Sequence, residues 1–231
     1  HLKDSAFRVK QGFTNLLPVA NFNYNFSRTK TLRVDYNTST AQPTAKQLQP
    51  VKDISDPLNV ISGNPSLKQS YSHNASLQYF NASPARQKNF FIFLNYSAVQ
   101  NAIVYNDSIN SSGARSSKPV NANGVYNLMA NVDRGFRIKK LNTRVDVGLN
   151  ANYNRSVNFI NDDRNKTSIL SLMPRINFSY SYKEIFDISA GARVSYNNAR
   201  YSLQPSLNNN YWRQVYEMEA TVNLPAGFSL N

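Results

Sequence analysis

The sequence predicts an all-β fold in which long antiparallel strands form part of a transmembrane β-barrel. Three observations predict it: nine stretches alternate apolar and polar residues, those stretches are long, and the connections between them alternate between short and long. In the clearest stretch, 141–154, one face carries Thr143, Val145, Val147, Leu149, Ala151 and Tyr153. A period of two is typical of a strand with one apolar and one polar face. Soluble strands usually have about 5–6 residues, whereas a tilted strand needs about 9–11 to cross a bilayer.

The predicted strands are joined by connections of two kinds. We predict strands at 19–26, 30–38, 72–81, 89–100, 123–134, 141–155, 168–182, 186–199 and 210–224. Short turns are expected at 27–29, 82–88, 135–140, 183–185 and 225–227. Longer loops are expected at 39–71, 101–122, 156–167 and 200–209. Antiparallel neighbours joined in this way place all short turns on one side, as outer-membrane barrels do with their periplasmic turns.

One face of each predicted strand has a set of apolar residues that includes no charged residue. Besides the set at 143–153, these faces are Phe22/Tyr24/Phe26, Leu32/Val34/Tyr36, Ala75/Leu77/Tyr79, Phe90/Ile92/Leu94/Tyr96, Tyr126/Leu128/Ala130/Val132, Leu172/Ile176/Phe178/Tyr180, Phe186/Ile188/Ala190/Ala192/Val194/Tyr196 and Trp212/Tyr216/Met218/Ala220/Val222. A Lys or Arg facing lipid at the bilayer midplane costs about 2–4 kcal/mol, so uncharged faces fit a membrane wall. Aromatic residues gather near the strand ends, as at a membrane boundary, although strand propensity also enriches them.

Two features fit this pattern less well, and one other fold shares it. Pro174 removes a backbone donor inside a predicted strand, so we expect a bulge or irregular pairing there. The stretch 90–94 is apolar on both faces, which leaves the orientation of that strand open. A soluble β-sandwich also alternates, with its apolar face turned inward. Strand length, loop asymmetry and the aromatic strand ends favour the membrane.

Composition argues against several kinds of site. The 231 residues include no cysteine and only two histidines, His1 and His73, so we predict no disulfide, metal site or cofactor. No run of about 18 apolar residues occurs, which excludes a membrane helix. His73 has no Ser or Asp partner at an interpretable spacing, and no Gly-rich phosphate loop is present. We therefore predict no catalytic residues and no enzyme activity.

The net charge of +13 raises the question of nucleic-acid binding. Many of the positive residues fall in short connections, at Arg28, Lys30, Arg86, Lys88, Arg137, Lys139 and Lys140. Others are expected to sit singly on polar strand faces, at Arg33, Arg144, Arg175 and Arg193. Because neither a dense basic helix nor an aromatic–glycine RNA-binding motif occurs, we predict no nucleic-acid partner.

The long connection 39–71 is rich in turn-forming residues. It contains the runs QLQPV at 47–51, DPLN at 56–59 and GNPSLK at 63–68. Proline fixes φ, and Gly and Asn tolerate positive φ, so runs of this kind form defined turns. A loop of this length is usually functional or well packed, and we expect it to be structured.

The same connection resembles a known family. Residues 44–68, TAKQLQPVKDISDPLNVISGNPSLK, followed by YSHNASLQYF at 71–80, resemble the barrel segment of TonB-dependent outer-membrane receptors of the Bacteroidetes type, a group that includes the outer membrane protein β-barrel family. The preceding NLLPVANFNYNFSRTKTLRVDYNTST also resembles it. The family-like motif consists of Gln47, Leu48, Gln49, Pro50, Asp56, Pro57, Leu58, Asn59, Gly63, Asn64 and Pro65. The family usually continues with Lys-Pro-Glu, whereas this chain has Lys68-Gln69-Ser70.

This resemblance implies an architecture larger than the chain. Such receptors have a barrel of about 22 strands with a plug domain N-terminal to it, whereas nine to ten strands fit within these 231 residues. We therefore expect residues 1–231 to be an internal part of the barrel domain. The plug domain and the remaining strands would lie outside this chain.

The resemblance also implies a function, which is uptake of a scarce large ligand across the outer membrane of a Gram-negative bacterium. Such a ligand is an iron chelate, an oligosaccharide or a peptide. The implied partners are outer-membrane lipid, the plug domain of the same protein and the inner-membrane TonB complex, and a capping surface lipoprotein is left open. The residues expected to face the lumen are Arg33, Asp35, Arg144, Asp146, Asp187 and Arg193. Their alternative role is salt bridging that stiffens the wall.

Two other functions stay open. The first is a passive pore or structural barrel of the outer membrane. The second is a soluble β-rich binding or adhesin domain, which would remain in the aqueous phase without detergent.

Overall fold

The computed structural model describes residue 12 and residues 14–183, 185–224 and 228–230, and strands dominate this part of the chain. The strands are β1 (Val19–Ser27), β2 (Lys30–Ala41), β3 (Lys52–Asp53), β4 (Asn59–Ser62), β5 (Ser70–Ser83), β6 (Lys88–Gln100), β7 (Ala102–Ile109), β8 (Arg115–Ala122), β9 (Val125–Ile138), β10 (Thr143–Ile160), β11 (Asp163–Tyr182), β12 (Phe186–Tyr201), β13 (Asn209–Leu224) and β14 (Phe228–Leu230). A four-residue helix, α1 (Ala45–Leu48), precedes β3. Short 3-10 helices lie at Pro84–Arg86, Lys139–Leu141 and Pro205–Leu207. Within the described residues, no helix is long and apolar enough to span a membrane.

Ten strands form one continuous path of antiparallel neighbours, in the order β1-β2-β5-β6-β9-β10-β11-β12-β13-β14. The nine predicted strands correspond to β1, β2, β5, β6 and β9 to β13 of this path. The prediction of an all-β antiparallel fold with nine to ten strands is therefore confirmed. β10 and β11 are the longest, with 18 and 20 residues, so they are longer than a bilayer crossing requires.

The strand registers bring the predicted apolar faces together on one side of the sheet. Residues directly opposite each other in an antiparallel pair share a face. One row of opposite residues runs through Phe22, Val34, Leu77, Leu94, Ala130, Ala151, Leu172, Tyr196 and Trp212. In β6, Phe90, Ile92 and Leu94 belong to this apolar face, which settles the orientation that the sequence left open.

The apolar face is not covered by a second layer of the described residues. Leu94 and Leu128 are exposed, and Trp212 has 64 % of its surface exposed. The buried hydrophobic residues are few: Leu67, Ala102, Ala122, Val145 and Val157. A β-sandwich would bury this face in its core, so the exposure matches a wall that faces lipid.

Aromatic side chains contact one another across the half of the apolar face nearest the long loops. Tyr126 lies between Tyr96 and Tyr153, with ring centroids 6.2 and 5.8 Å apart. Tyr196 and Trp212 are 4.5 Å apart on β12 and β13. Tyr and Trp favour the boundary between water and hydrocarbon because the ring is apolar and the polar atom needs a partner.

The predicted loop at 156–167 is wrong. β10 continues to Ile160 and β11 begins at Asp163, so the connection is a two-residue turn. Asn161 and Asp162 have φ values of 51° and 68°, as a tight hairpin turn requires. The polar composition of this segment suggested a loop. The segment is instead the part of β10 and β11 that extends past the length needed to cross a bilayer. There a strand can carry polar residues on both faces, and β7 pairs with its end at Phe159.

The long loops at 39–71 and 101–122 contain strands of their own. β7 and β8 form a hairpin, and β3 pairs with β4. β4 lies parallel to β8, and β7 lies parallel to the end of β10. We call β3, β4, β7 and β8 the long-loop platform. The expectation that 39–71 is structured is confirmed, whereas a strand-free loop at 101–122 is not found.

Pro174 disturbs the pairing without shifting it. Its strand keeps an unbroken register with β10, where Pro174 lies opposite Leu149. On the other side, pairing with β12 stops after Leu172 and resumes at Arg175 in the same register. The expected irregular pairing is therefore present, without a bulge. Proline lacks the N–H that would donate a hydrogen bond to one neighbouring strand, so only the pairing with β12 is interrupted.

Candidate functional site

The six residues expected to face the lumen all lie on the polar face, opposite the apolar rows. Two pairs are ion pairs within a single strand. Arg33 Nε donates to Asp35 Oδ2 over 2.7 Å, and Arg144 Nη2 donates to Asp146 Oδ1 over 2.6 Å. Residues two apart in a strand point to the same face, so these pairs could be found from sequence alone.

Two further ion pairs join different strands. Arg175 on β11 pairs with Asp133 on β9, and Arg193 on β12 lies 3.6 Å from Glu217 on β13. The four arginines expected on polar strand faces do lie there, and each is paired with a carboxylate. Asp133 and Arg175 are 42 positions apart, and only the strand register brings them together.

The ion pairs on β9 to β13 adjoin one another. In one row Asp133 lies opposite Gly148, which lies opposite Arg175. In the next row Gly135 lies opposite Asp146. A cavity of about 440 Å³ opens over these rows and is lined by Asn89, Asp133, Arg134, Asp146, Val147, Arg175, Asn177, Arg193 and Glu217. We call the ion pairs around this cavity the charge cluster.

Two glycines make room for the charge cluster. A Cβ atom at Gly135 would collide with the side chains of Asn89, Asp146 and Arg144. A Cβ atom at Gly148 would collide with the Asp133 carboxylate and would lie 2.8 Å from Arg175 Nε. The side chains of the ion pairs thus lie flat over glycine backbone. The alternating pattern gives these glycines no special place, although an isolated Gly in a strand often marks a close approach.

The other two sequence-predicted lumen sites lie apart from the charge cluster. The Arg33–Asp35 pair is on β2, which β5 and β6 separate from β9. Asp187 lies nearer the short turns, opposite Ser181 and Thr221. His73 is on the apolar face, where its Nδ1 lies 2.8 Å from the Tyr36 hydroxyl. Within the described residues, no group of three or more acidic or histidine side chains could hold a metal ion.

The QLQP and GNP runs of the family-like motif meet in a corner next to the long-loop platform. Thr44 caps α1 through a capping box, in which Gln47 N donates to Thr44 Oγ1 and Thr44 N donates to Gln47 Oε1. The Gln47 carbonyl accepts a 2.6 Å hydrogen bond from Asn64 N. A Cβ atom at Gly63 would collide with the carbonyl oxygens of Gln47 and Gln49. Only glycine permits this close approach between the QLQP and GNP runs.

The corner is fixed to the β7–β8 hairpin by two asparagines. Asn64 Nδ2 donates to the Pro119 carbonyl over 2.9 Å. Asn121 accepts a hydrogen bond from Lys68 N over 2.7 Å and donates to the Lys68 and Asn101 carbonyls. Leu67 is 1 % exposed at this junction. The motif therefore has a structural role, which is to tie two long loops together.

Two aspartates shape the exposed edge of the corner. The Asn59 side chain and the Leu58 N–H donate to Asp56, and these bonds hold the pKa of Asp56 below its usual range. Hydrogen bonds from Ser55, together with Lys46 at 3.4 Å, likewise lower the pKa of Asp53. Arg115 N donates to the Leu58 carbonyl, which joins this edge to β8.

An exposed apolar face and a continuous path of long antiparallel strands are typical of the wall of an outer-membrane β-barrel. The chain belongs to the outer membrane protein beta-barrel family, whose model matches residues 1–216. This membership implies an outer-membrane location, and it confirms the outer-membrane β-barrel that the resemblance at 44–80 indicated. None of the curated proteins matches the chain.

Proposed function

We propose that this chain is the barrel segment of a TonB-dependent transporter of the Bacteroidetes type, in the outer membrane of a Gram-negative bacterium. Its substrate is a scarce large ligand: an iron chelate, an oligosaccharide or a peptide. The observation that carries the proposal is the packed corner at residues 44–68, because the residues that resemble those receptors are the ones that build it. The long-loop platform provides a fixed surface on which a large ligand can bind.

The polar face supports the same proposal. Four of its arginines, Arg33, Arg144, Arg175 and Arg193, are paired with carboxylates. A wall of compensated charges can pack against a folded plug without leaving unpaired charges at the contact. In this proposal Arg33, Asp35, Arg144, Asp146, Asp187 and Arg193 face the lumen. The whole protein has about 22 strands, a plug domain upstream and the TonB complex as its energy source.

The test uses the full-length gene in its own host. A deletion strain receives labelled ferric chelates, oligosaccharides or peptides, and we expect uptake of one class to be lost and to return with the gene. Collapse of the proton gradient by a protonophore should stop this uptake within minutes and leave surface binding intact. Uptake that continues at the same rate would identify a passive pore, and a full-length gene without a plug domain would exclude the proposal.

A further inference from the structure

A group of positive residues lies on the apolar face at its short-turn end. Lys88, at the start of β6, lies opposite Ser83, and Arg134 on β9 lies opposite Phe90. Arg86 is in the connection between β5 and β6. These three cations are exposed. A cavity of about 440 Å³ joins them and is lined by Asn81, Ser83, Arg86, Lys88, Asn89, Phe90, Arg134 and Gly135. We call the six of these that belong to the apolar face or to the turn beside it, Asn81, Ser83, Arg86, Lys88, Phe90 and Arg134, the basic notch.

The basic notch differs in charge balance from the polar face. Each ion pair on the described strands of the polar face joins an arginine to a carboxylate. None of the ion pairs found among the described residues includes Arg86, Lys88 or Arg134, and the cavity is lined by no acidic residue. Arg134 also lines the cavity over the charge cluster, but the cavity that it shares with Arg86 and Lys88 has three cations and no carboxylate, which favours an anion there.

The position of the basic notch identifies the kind of anion. Along β6 and β9, the same face continues away from the short turns with apolar residues such as Ile92 and Val132. Phe90 lies within the notch itself. The Arg134 guanidinium is 5.9 Å from the ring centroid of Phe136, which is one row nearer the short turns. A long basic side chain that leans toward the boundary brings its charge to headgroup depth. The short turns of outer-membrane barrels reach the periplasmic side.

We infer that the basic notch binds the phosphate of an anionic phospholipid headgroup in the periplasmic leaflet. The three cations pair with the phosphate oxygens, and the Asn81 amide and Ser83 hydroxyl offer neutral hydrogen bonds beside them. Phe90 lies where the acyl chains begin. This inference depends on the outer-membrane location and the side of the short turns, and it is independent of transport.

Native mass spectrometry of the full-length protein in detergent tests this inference. Added phosphatidylglycerol should remain bound in preference to phosphatidylethanolamine, which has the same phosphate and no net charge. The variant Arg86→Gln/Lys88→Gln/Arg134→Gln should bind phosphatidylglycerol on the order of 100-fold more weakly, because each basic residue near the lipid surface strengthens the binding of an anionic lipid by about fivefold. Inorganic phosphate at millimolar concentration should not displace the lipid, whereas displacement would show a site for free anions.

Matched variants separate the basic notch from general attraction. Lys139→Gln/Lys140→Gln/Lys183→Gln removes the same charge from neighbouring short turns and should leave lipid binding within about twofold of the wild type. Arg86→Lys/Arg134→Lys keeps the positive charge and should bind phosphatidylglycerol like the wild type. This variant still tests the inference if the neutral variant does not fold. Equal losses in both neutral variants, or equal binding of the two lipids, would overturn the inference.

Discussion

Glycine at position 148 sets how closely the Asp133–Arg175 pair can lie on the sheet. Alanine there would push its Cβ atom into the Asp133 carboxylate and the Arg175 side chain. We expect Gly148→Ala to lower the free energy of unfolding of the full-length protein in vesicles by about 1–3 kcal/mol, measured with urea. Gly191→Ala is the matched control, because its Cβ atom would meet a single Asn177 side-chain oxygen at 2.5 Å that can turn away.

A double-variant background makes this prediction specific. Asp133→Ser/Arg175→Ser removes the side chains that alanine at 148 would strike. In that background Gly148→Ala should cost less than half as much, which a thermodynamic cycle measures directly. An equal cost in both backgrounds would show that contact with the ion pair does not explain the glycine.

Asn121 is the side chain on which the junction of the two long loops depends. Its three hydrogen bonds to Lys68 and Asn101 span 2.7–2.9 Å. Asn121→Ala should cost roughly 2–4 kcal/mol locally, at about 1 kcal/mol for each bond lost. Hydrogen exchange should rise at 63–70 and 115–122 and stay unchanged in β11 and β12. Asn121→Asp keeps the acceptor and loses both donors, so its exchange should be intermediate.

At the scale of one loop, we expect acid to destabilise the corner at 44–68 before it affects the long strands. The pKa values of Asp53 and Asp56 are lowered in the folded loop by their hydrogen bonds. Their contribution to stability is therefore present above the usual Asp pKa of about 3.9 and is lost as the pH falls through the lowered folded values. Hydrogen exchange at 50–62, corrected for intrinsic rates, should rise below about pH 4.

The variant Asp53→Asn/Asp56→Asn tests the origin of that change. Asparagine keeps the size and part of the hydrogen bonding, but it does not titrate. Its exchange at 50–62 should show no step in this pH range, while the wild type shows one. A step of the same size in both proteins would assign the acid effect to other groups.

The strands that cross the membrane could be predicted because lipid imposes the alternation that marks them. The residue sets at 143–153 and 126–132 lie on the face that the sequence assigned to them. Alternation fails where β10 and β11 leave the membrane, so the extension through Ile160 was mistaken for a loop. β7 and β8 contain Ser and Asn residues, and β8 also contains Pro119. These residue types are typical of loops, so the sequence predicted a loop here. Pro119 is instead fully buried.

The candidate site was predictable only where partners are close in sequence. Arg33–Asp35 and Arg144–Asp146 are two positions apart. Asp133 and Arg175 meet because β10 lies between their strands in a fixed register. The turn at Lys139–Leu141 fixes the register between β9 and β10. If the exact residues of this turn had been known, the position of Gly148 opposite Asp133 could have been predicted.

At the scale of the whole molecule, the two faces of the sheet should report different surroundings. The chain contains no cysteine, so single Cys substitutions can place a fluorescent label at chosen positions. Labels at Leu77, Ala130 and Ala151 should be quenched by brominated lipid, because they belong to one apolar row. Labels one position away, at Ser76, Asn131 and Asn150, should not be quenched. Equal quenching of both sets would contradict a membrane wall.

The long-loop platform also constrains the order of events during folding. Its contacts join distant parts of the chain, since Lys68 meets Asn121 at a separation of 53 positions and Asn64 meets Pro119 at 55. Contacts between distant residues form slowly, because the intervening chain must first be brought together. β5, β6 and β9 supply that closure when they pair. We therefore expect the long-loop platform to form only after these strands have paired. An insertion step that stalls before β9 pairs would leave residues 39–71 and 101–122 unfolded and open to proteases.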